Sequence, residues 1–226
     1  MRDREIEIKI RIDREKLNEV RRKLEKIARF EKSVRQRDEY FTPSHRNFVA
    51  PRFPYEWLSI RKRGDKAFLN YKHFYPESGE VKTHCDEFEV EIKNPEQLRK
   101  IFLALDFKKL VTVEKTREIY IYDERFEIAL DVVKDLGYFI EIEALKDFGG
   151  VEATRRELFE FAKSLGIDTS KTDKRGYPYL LMERKGLIKR GCGSSVRLFE
   201  NDFCVIAPLS IPPLGSLSST VWVASP

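Results

Sequence analysis

Apolar residues recur at every second position through much of the first 186 residues, and at helical spacing in only a few stretches. The run Glu5-Ile6-Glu7-Ile8-Lys9-Ile10-Arg11-Ile12 sets the pattern. As a strand it turns its isoleucines to one face and Glu5, Glu7, Lys9 and Arg11 to the other. The same alternation predicts strands over Val34 to Phe41, Glu56 to Lys62 or Arg63, Ala67 to His73, Asp86 to Ile92, Val111 to Tyr122, Phe126 to Val133 and Tyr138 to Ala144. Helical spacing predicts one helix behind an Asp13 cap, with Leu17, Val20, Leu24 and Ile27 as its buried stripe. Asn94-Pro95 starts a second, with Leu98, Ile101, Phe102 and Leu105 inward, and a third runs from Val151 to Leu165 and stops at Gly166. Ser44 to Pro54 reads as a loop, Arg63-Gly64-Asp65-Lys66 as a hairpin turn, and Tyr177 to Arg184 as the closing segment.

Many strands and few helices describe an α+β protein dominated by an antiparallel sheet. So much charge on strand faces fits two architectures. One is an open sheet with a wet face; the other is a barrel closed around a charged lumen, which also removes the sheet edges.

Composition changes this picture at the far end of the chain. After Gly186 only Lys189, Arg190, Arg197, Glu200 and Asp202 are charged, while serine and proline become frequent. The apolar run Cys204 to Val223 has the length of a membrane span, but Pro208, Pro212 and Pro213 break such a helix. We therefore expect a functional domain over 1–186 and an irregular or disordered extension over 187–226. Cys85, Cys192 and Cys204 show neither a disulfide framework nor zinc-ligand spacing, and the charged start lacks an apolar leader, so the expected location is the cytoplasm. A formal charge of +5 and a pI near 9.0 favour anionic partners. The excess is scattered among acidic residues, which does not resemble a DNA-binding tail, and neither DNA nor a membrane is an expected partner.

The charged faces alternate in sign along the chain. Glu5/Glu7, Glu87/Glu89/Glu91 and Glu141/Glu143 are acidic; Arg61/Arg63, Lys72 and Lys115/Arg117 are basic. If they met inside one barrel, the cations would surround a polyphosphate and the carboxylates would hold Mg²⁺ or Mn²⁺, hard ions that take oxygen ligands and bridge phosphates. Ion pairing across a twisted sheet is the alternative reading of the same pattern.

The ordered motifs favour the first. Glu5-x-Glu7-x-Lys9, Arg61-x-Arg63, Leu69-Asn70-Tyr71-Lys72, Glu87-x-Glu89-x-Glu91, Lys115-x-Arg117, Leu130-Asp131-Val132 and Leu136-Gly137-x-Phe139-x-Glu141-x-Glu143 resemble those of the CYTH family, the triphosphate tunnel metalloenzymes. Tyr177-x-Tyr179-Leu180-Leu181 is similar to its C-terminal segment, and the likeness spans residues 5 to 181. Asn70 departs from it, standing where a small hydroxyl residue is expected, as do Gly176 and Pro178 at the last motif.

The resemblance implies an eight-stranded antiparallel closed β-barrel, a triphosphate tunnel with flanking helices. It implies Glu5, Glu7, Glu141 and Glu143 as ligands of Mg²⁺ or Mn²⁺. Lys9, Arg61, Arg63, Lys72, Lys115 and Arg117 would grip phosphate oxygens. Asp131 would orient metal-bound water or assist proton transfer, with Glu5, Glu7 and Lys9 beside it in the catalytic set. The implied partner is a nucleoside triphosphate or inorganic polyphosphate, and a homodimer is compatible with it. Gln36 to Pro43 and His84 to Glu89 look most like the class IV adenylyl cyclase branch, which converts ATP to cyclic AMP and pyrophosphate. The alternatives are a triphosphatase acting on tripolyphosphate or thiamine triphosphate, and a non-catalytic module for polyphosphate or RNA 5′ ends. In that module Trp57, Phe68, Tyr71 and Phe74 would stack bases.

Overall fold

One antiparallel sheet organises the chain in a computed structural model that describes residues 4–78, 82–172 and 175–188. Its strands in chain order are β1 (Arg4–Glu5), β2 (Glu7–Ile12), β3 (Arg29–Thr42), β4 (Glu56–Arg63), β5 (Lys66–Tyr75), β6 (His84–Ile92), β7 (Lys108–Tyr122), β8 (Phe126–Val133) and β9 (Gly137–Ala144). The helices are α1 (Arg14–Ile27), α2 (Pro95–Ala104), α3 (Val151–Ser164) and α4 (Tyr177–Arg184). The order across the sheet is β1-β6-β5-β4-β3-β7-β8-β9-β2.

The two ends of that order are one extended run interrupted at Ile6. Arg4 and Glu5 pair with β6, whereas Glu7 to Ile12 pair with β9. Counted as one strand, the run makes eight strands that curl around a lumen, and it forms the seam.

Apolar residues face outward from the lumen and polar ones inward, because helices cover the outer face. Ile8 and Ile10 of β2, Ile128 and Leu130 of β8, and Ile140 and Ile142 of β9 pack against Leu17, Val20 and Leu24 of α1 and Leu158 and Phe161 of α3. Each such side chain contributes about 1.5–3 kcal/mol when fully buried. With its hydrophobic effect spent outside, the inner face is free to carry charge.

The predicted caps form: an Asp13 carboxylate oxygen accepts from the Lys16 amide at 2.7 Å, and Asn94 accepts from the Gln97 amide at 3.0 Å. Gly64-Asp65 closes the β4–β5 hairpin, with Gly64 at φ 60°, where glycine is strain-free. Three expectations need correcting. Ile27 is 50% exposed, and Ile101 and Leu105 are 52% and 60% exposed, because α1 and α2 touch the sheet along narrower stripes. β3 begins at Arg29, since its pairing with β7 continues past a bulge between Phe30 and Lys32. The packed chain also runs past Gly186, with Leu187 and Ile188 joining a second core cluster around Tyr177, Leu180 and Met182. The remainder of the expected extension, including the apolar run from Cys204, lies outside the described residues. Among the described residues no helix is long and apolar enough to cross a membrane.

Candidate active site in the tunnel

Strand register decides what faces the lumen. β3 lies between β4 and β7, so Gln36 stands opposite Arg63 on one side and Lys115 on the other. This sets Arg61 and Arg63 against Lys115 and Arg117 across a single strand, with Lys72 on β5. On the far side, Glu7, Glu143 and Glu127 occupy consecutive rungs of β2, β9 and β8, a straight row of three carboxylates. Glu5 precedes them across the seam, and Glu87 and Glu89 follow on β6. The lumen between these walls has a volume of about 540 Å³. Every residue that the resemblance implies as a phosphate or metal ligand lines it, and Asp131 lies immediately behind, whereas Glu91 of the acidic β6 face does not line it.

The walls are wired together by ion pairs. Arg61 donates to Glu87 at 3.1 Å and to Glu89 at 3.2 Å, and Arg63 donates to Glu89 at 3.2 Å. Lys72 pairs with Glu5 and, at 3.4 Å, with Glu87. The Asn70 amide also donates to Glu87, at 2.6 Å, so the larger side chain at this position braces the acidic wall. Asp131 is fully buried and accepts from Lys115 at 3.2 Å, from Arg117 at 2.8 and 2.5 Å, and from the Tyr177 hydroxyl at 2.9 Å. Three of these four bonds converge on Oδ2, while Oδ1 accepts from Arg117 Nε. The geometry of this carboxylate is that of a counter-ion for Lys115 and Arg117. Lys9 donates to the Arg175 carbonyl, and the Lys9 and Lys115 ammonium groups stand 4.7 and 4.9 Å from the centre of the Tyr177 ring. Pro178 in the first turn of α4 lacks an N–H where none is required, and so helps start the helix that delivers Tyr177.

The carboxylates divide electrostatically. Burial, and then the charges of Glu5 and Glu141, push Glu7 up to about 7. Burial, and then Glu5 and Glu7, push Glu143 up to about 9. Burial also raises Glu127. Glu87 goes the other way: burial opposes ionisation, but Lys72 and Arg61 outweigh it and hold the group down to about 2. Glu141 is likewise lowered against its burial, by Arg117, Lys115 and Lys9, and its carboxylate accepts from Arg117. Of the four expected metal ligands, Glu141 and Glu5 are thus already paired with cations, Arg117 and Lys72. Glu7 and Glu143 stand among like charges that favour a proton or a metal ion.

Glu87 and Glu89, expected only as part of an acidic strand face, and Glu127, Asp38 and Tyr177, not expected as site residues, belong to the site. The first three were legible as lumen-facing positions of alternating strands. Asp38 sits within a largely buried stretch of β3, and Tyr177 arrives on a helix from outside the sheet, so only the tertiary structure reveals their role.

Comparison with known proteins fits this architecture. The CYTH domain family matches residues 3–177. The chain is similar to a Methanocaldococcus jannaschii protein named as a candidate adenylate cyclase, 34% identical over 185 residues that span 81% of this chain and 99% of that one. A solved Pyrococcus horikoshii protein, PH1819, superposes with a TM-score of 0.66 at 29% identity, over 80% of this chain and 99% of its own. A Hippeastrum protein, described as a candidate adenylyl cyclase with a dominant triphosphatase activity, shares the fold with a TM-score of 0.56 at 20% identity, over 82% and 96% of the two chains. A charged lumen walled by the ordered motifs, and a family match across the whole of the sheet, lead to one conclusion: the chain belongs to the CYTH family.

Proposed function

We propose that the protein is a divalent-metal-dependent enzyme acting on a triphosphate, and that its reaction is of the class IV adenylyl cyclase type, ATP to cyclic AMP and pyrophosphate. The observation that carries the reading is the charge balance of the lumen. Eight basic and eight acidic side chains line it, so with all ionised it is close to neutral. A triphosphate brings several negative charges and needs added positive charge to enter. Neutralising the acidic wall with a divalent ion releases the cationic wall for phosphate.

The donor set suits such an ion. Glu5, Glu7 and Glu143 offer hard carboxylate oxygens, and the raised Glu7 and Glu143 stand to lose their mutual repulsion on binding it. As they stand, no three acidic, histidine or cysteine side chains among the described residues converge on one point, so these side chains would draw together around the ion. When bound, Mg²⁺ or Mn²⁺ supplies neutralisation and polarisation of phosphoryl oxygens. Arg61, Arg63, Lys72, Lys115 and Arg117, with Lys9, would grip the phosphate oxygens and hold the chain of phosphates along the tunnel. Catalysis in such a site is mainly positioning and charge stabilisation, because little covalent chemistry is asked of the protein.

Hydrolysis of the terminal phosphoryl group uses the same grip, and the activity ascribed to the Hippeastrum protein keeps it as the second reading. Incubating purified protein with Mg²⁺ or Mn²⁺ and either ATP or tripolyphosphate, then resolving the products, separates them. Cyclic AMP with pyrophosphate is the expected result. Orthophosphate alone replaces cyclisation by hydrolysis, and metal-independent binding without turnover leaves a binding module. A Glu7→Ala variant with full activity would remove the metal site from the scheme.

A further inference from the structure

One acidic group stands on the wrong wall. Asp38 lies on β3 among the cations, with Arg61 as its cross-strand neighbour, and is only 4% exposed. Among the described residues its Oδ1 has no hydrogen-bond partner, and its other oxygen is 3.6 Å from Arg61 Nε, beyond hydrogen-bond reach. Arg61 directs its Nη1 to Glu87 and Glu89 instead. A buried acceptor without a donor is destabilising and calls for a partner.

The neighbouring orphans differ in kind. Arg61 Nε and Arg63 Nε are unpartnered donors, as phosphate oxygens require. Asp38 Oδ1 is an acceptor, and an ionised polyphosphate offers it only repulsion. The next lumen-facing residues along this wall are aromatic: Tyr40 on β3 and Trp57 on β4, their rings edge to face at 5.8 Å. Acceptor and flat apolar surface adjoin each other beside the phosphate grip.

We propose that Asp38 is a specificity residue that accepts a hydrogen bond from a hydroxyl or amine of the organic group of a nucleoside triphosphate, whose rings lie toward Tyr40 and Trp57. The inference rests on a triphosphate occupying the tunnel and names its class: organic in preference to inorganic. An acceptor aimed at a substrate donor discriminates strongly, because the analogue lacking the donor leaves it unpaired.

Calorimetric titration of the full chain with ATP and with tripolyphosphate, both with Mg²⁺, tests it. In Asp38→Asn the ratio of ATP to tripolyphosphate affinity is expected to fall about tenfold or more. In the wild type, 2′-deoxy-ATP, 3′-deoxy-ATP and inosine triphosphate identify the donor, and at least one is expected to bind about tenfold more weakly than ATP. An equal loss for both ligands in Asp38→Asn would overturn the proposal and make Asp38 a positioning residue for Arg61. Equal binding of ATP and all three analogues would overturn it too, and that arm stands even if the variant does not fold. A wild type that binds neither ATP nor tripolyphosphate sinks the underlying triphosphate reading instead.

Discussion

Replacing Asp131 by asparagine separates a structural counter-ion from a catalytic base. The fully buried carboxylate accepts from Lys115, Arg117 and Tyr177. Asparagine keeps the volume but loses the charge, and turns an N–H₂ toward a cation. Stripping a buried cation of its partner costs about 3–5 kcal/mol. Arg117 retains Glu141, which places the expected loss near the lower figure, about 3 kcal/mol. For a domain of this size that lowers the melting temperature by about 6–12 °C. Thermal unfolding by circular dichroism, with turnover measured on the same samples at low temperature, reads both effects. A shift of less than about 2 °C would refute the counter-ion reasoning. If turnover nevertheless vanished, Asp131 would be acting on the reacting atoms directly.

Three further outcomes follow from the same wiring. Glu7 and Glu143 have raised folded-state values, about 7 and about 9, so the folded protein binds more protons than the unfolded chain above about pH 4.5. Their contribution is complete below the ordinary glutamate range and lost as pH rises through those values; the melting temperature of metal-free protein should fall from pH 5 to pH 9, and Glu143→Gln should flatten the decline. Glu89→Gln should tighten Mg²⁺–triphosphate binding by about fivefold, since Arg61 and Arg63 lose a competing carboxylate worth about 1 kcal/mol, and weaker binding in a titration would contradict that. Tyr177→Phe should lower stability in urea by about 1 kcal/mol, the value of the hydrogen bond to Asp131, and an unchanged midpoint would mean that bond contributes nothing.

Strand positions were legible because alternation is enforced twice, by the helices outside and by the charged lumen inside. Phe126–Val133 illustrates this, with its predicted and observed bounds identical. The facing of Glu5, Glu7, Arg61, Lys72 and Lys115 followed from the same period. What the period cannot encode is pairing. That Glu141 is held by Arg117 while Glu143, two residues on, faces Glu7 and Glu127 depends on register between strands far apart in the chain. Helix stripes were overread for a related reason: Ile101 and Leu105 have helical spacing, but their exposure depends on how much of α2 the sheet covers.

The seam at Ile6 gives the ring a clasp. Among the described residues, the run is held to β6 on one side by the pairs Arg4–Asp86 and Glu5–Cys85, and six pairs bind it to β9 on the other. Among the described residues the β6 ladder of this run is the shortest in the sheet, so opening the ring there breaks fewer hydrogen bonds than opening it elsewhere. Glu5 belongs to that ladder and Glu7 to the longer one, which makes any ion bridging the two a rivet across the clasp. Part of its binding free energy then appears as closure of the ring, and the amides of Glu5 and Cys85 become natural reporters of occupancy, their exchange slowing when the tunnel is filled.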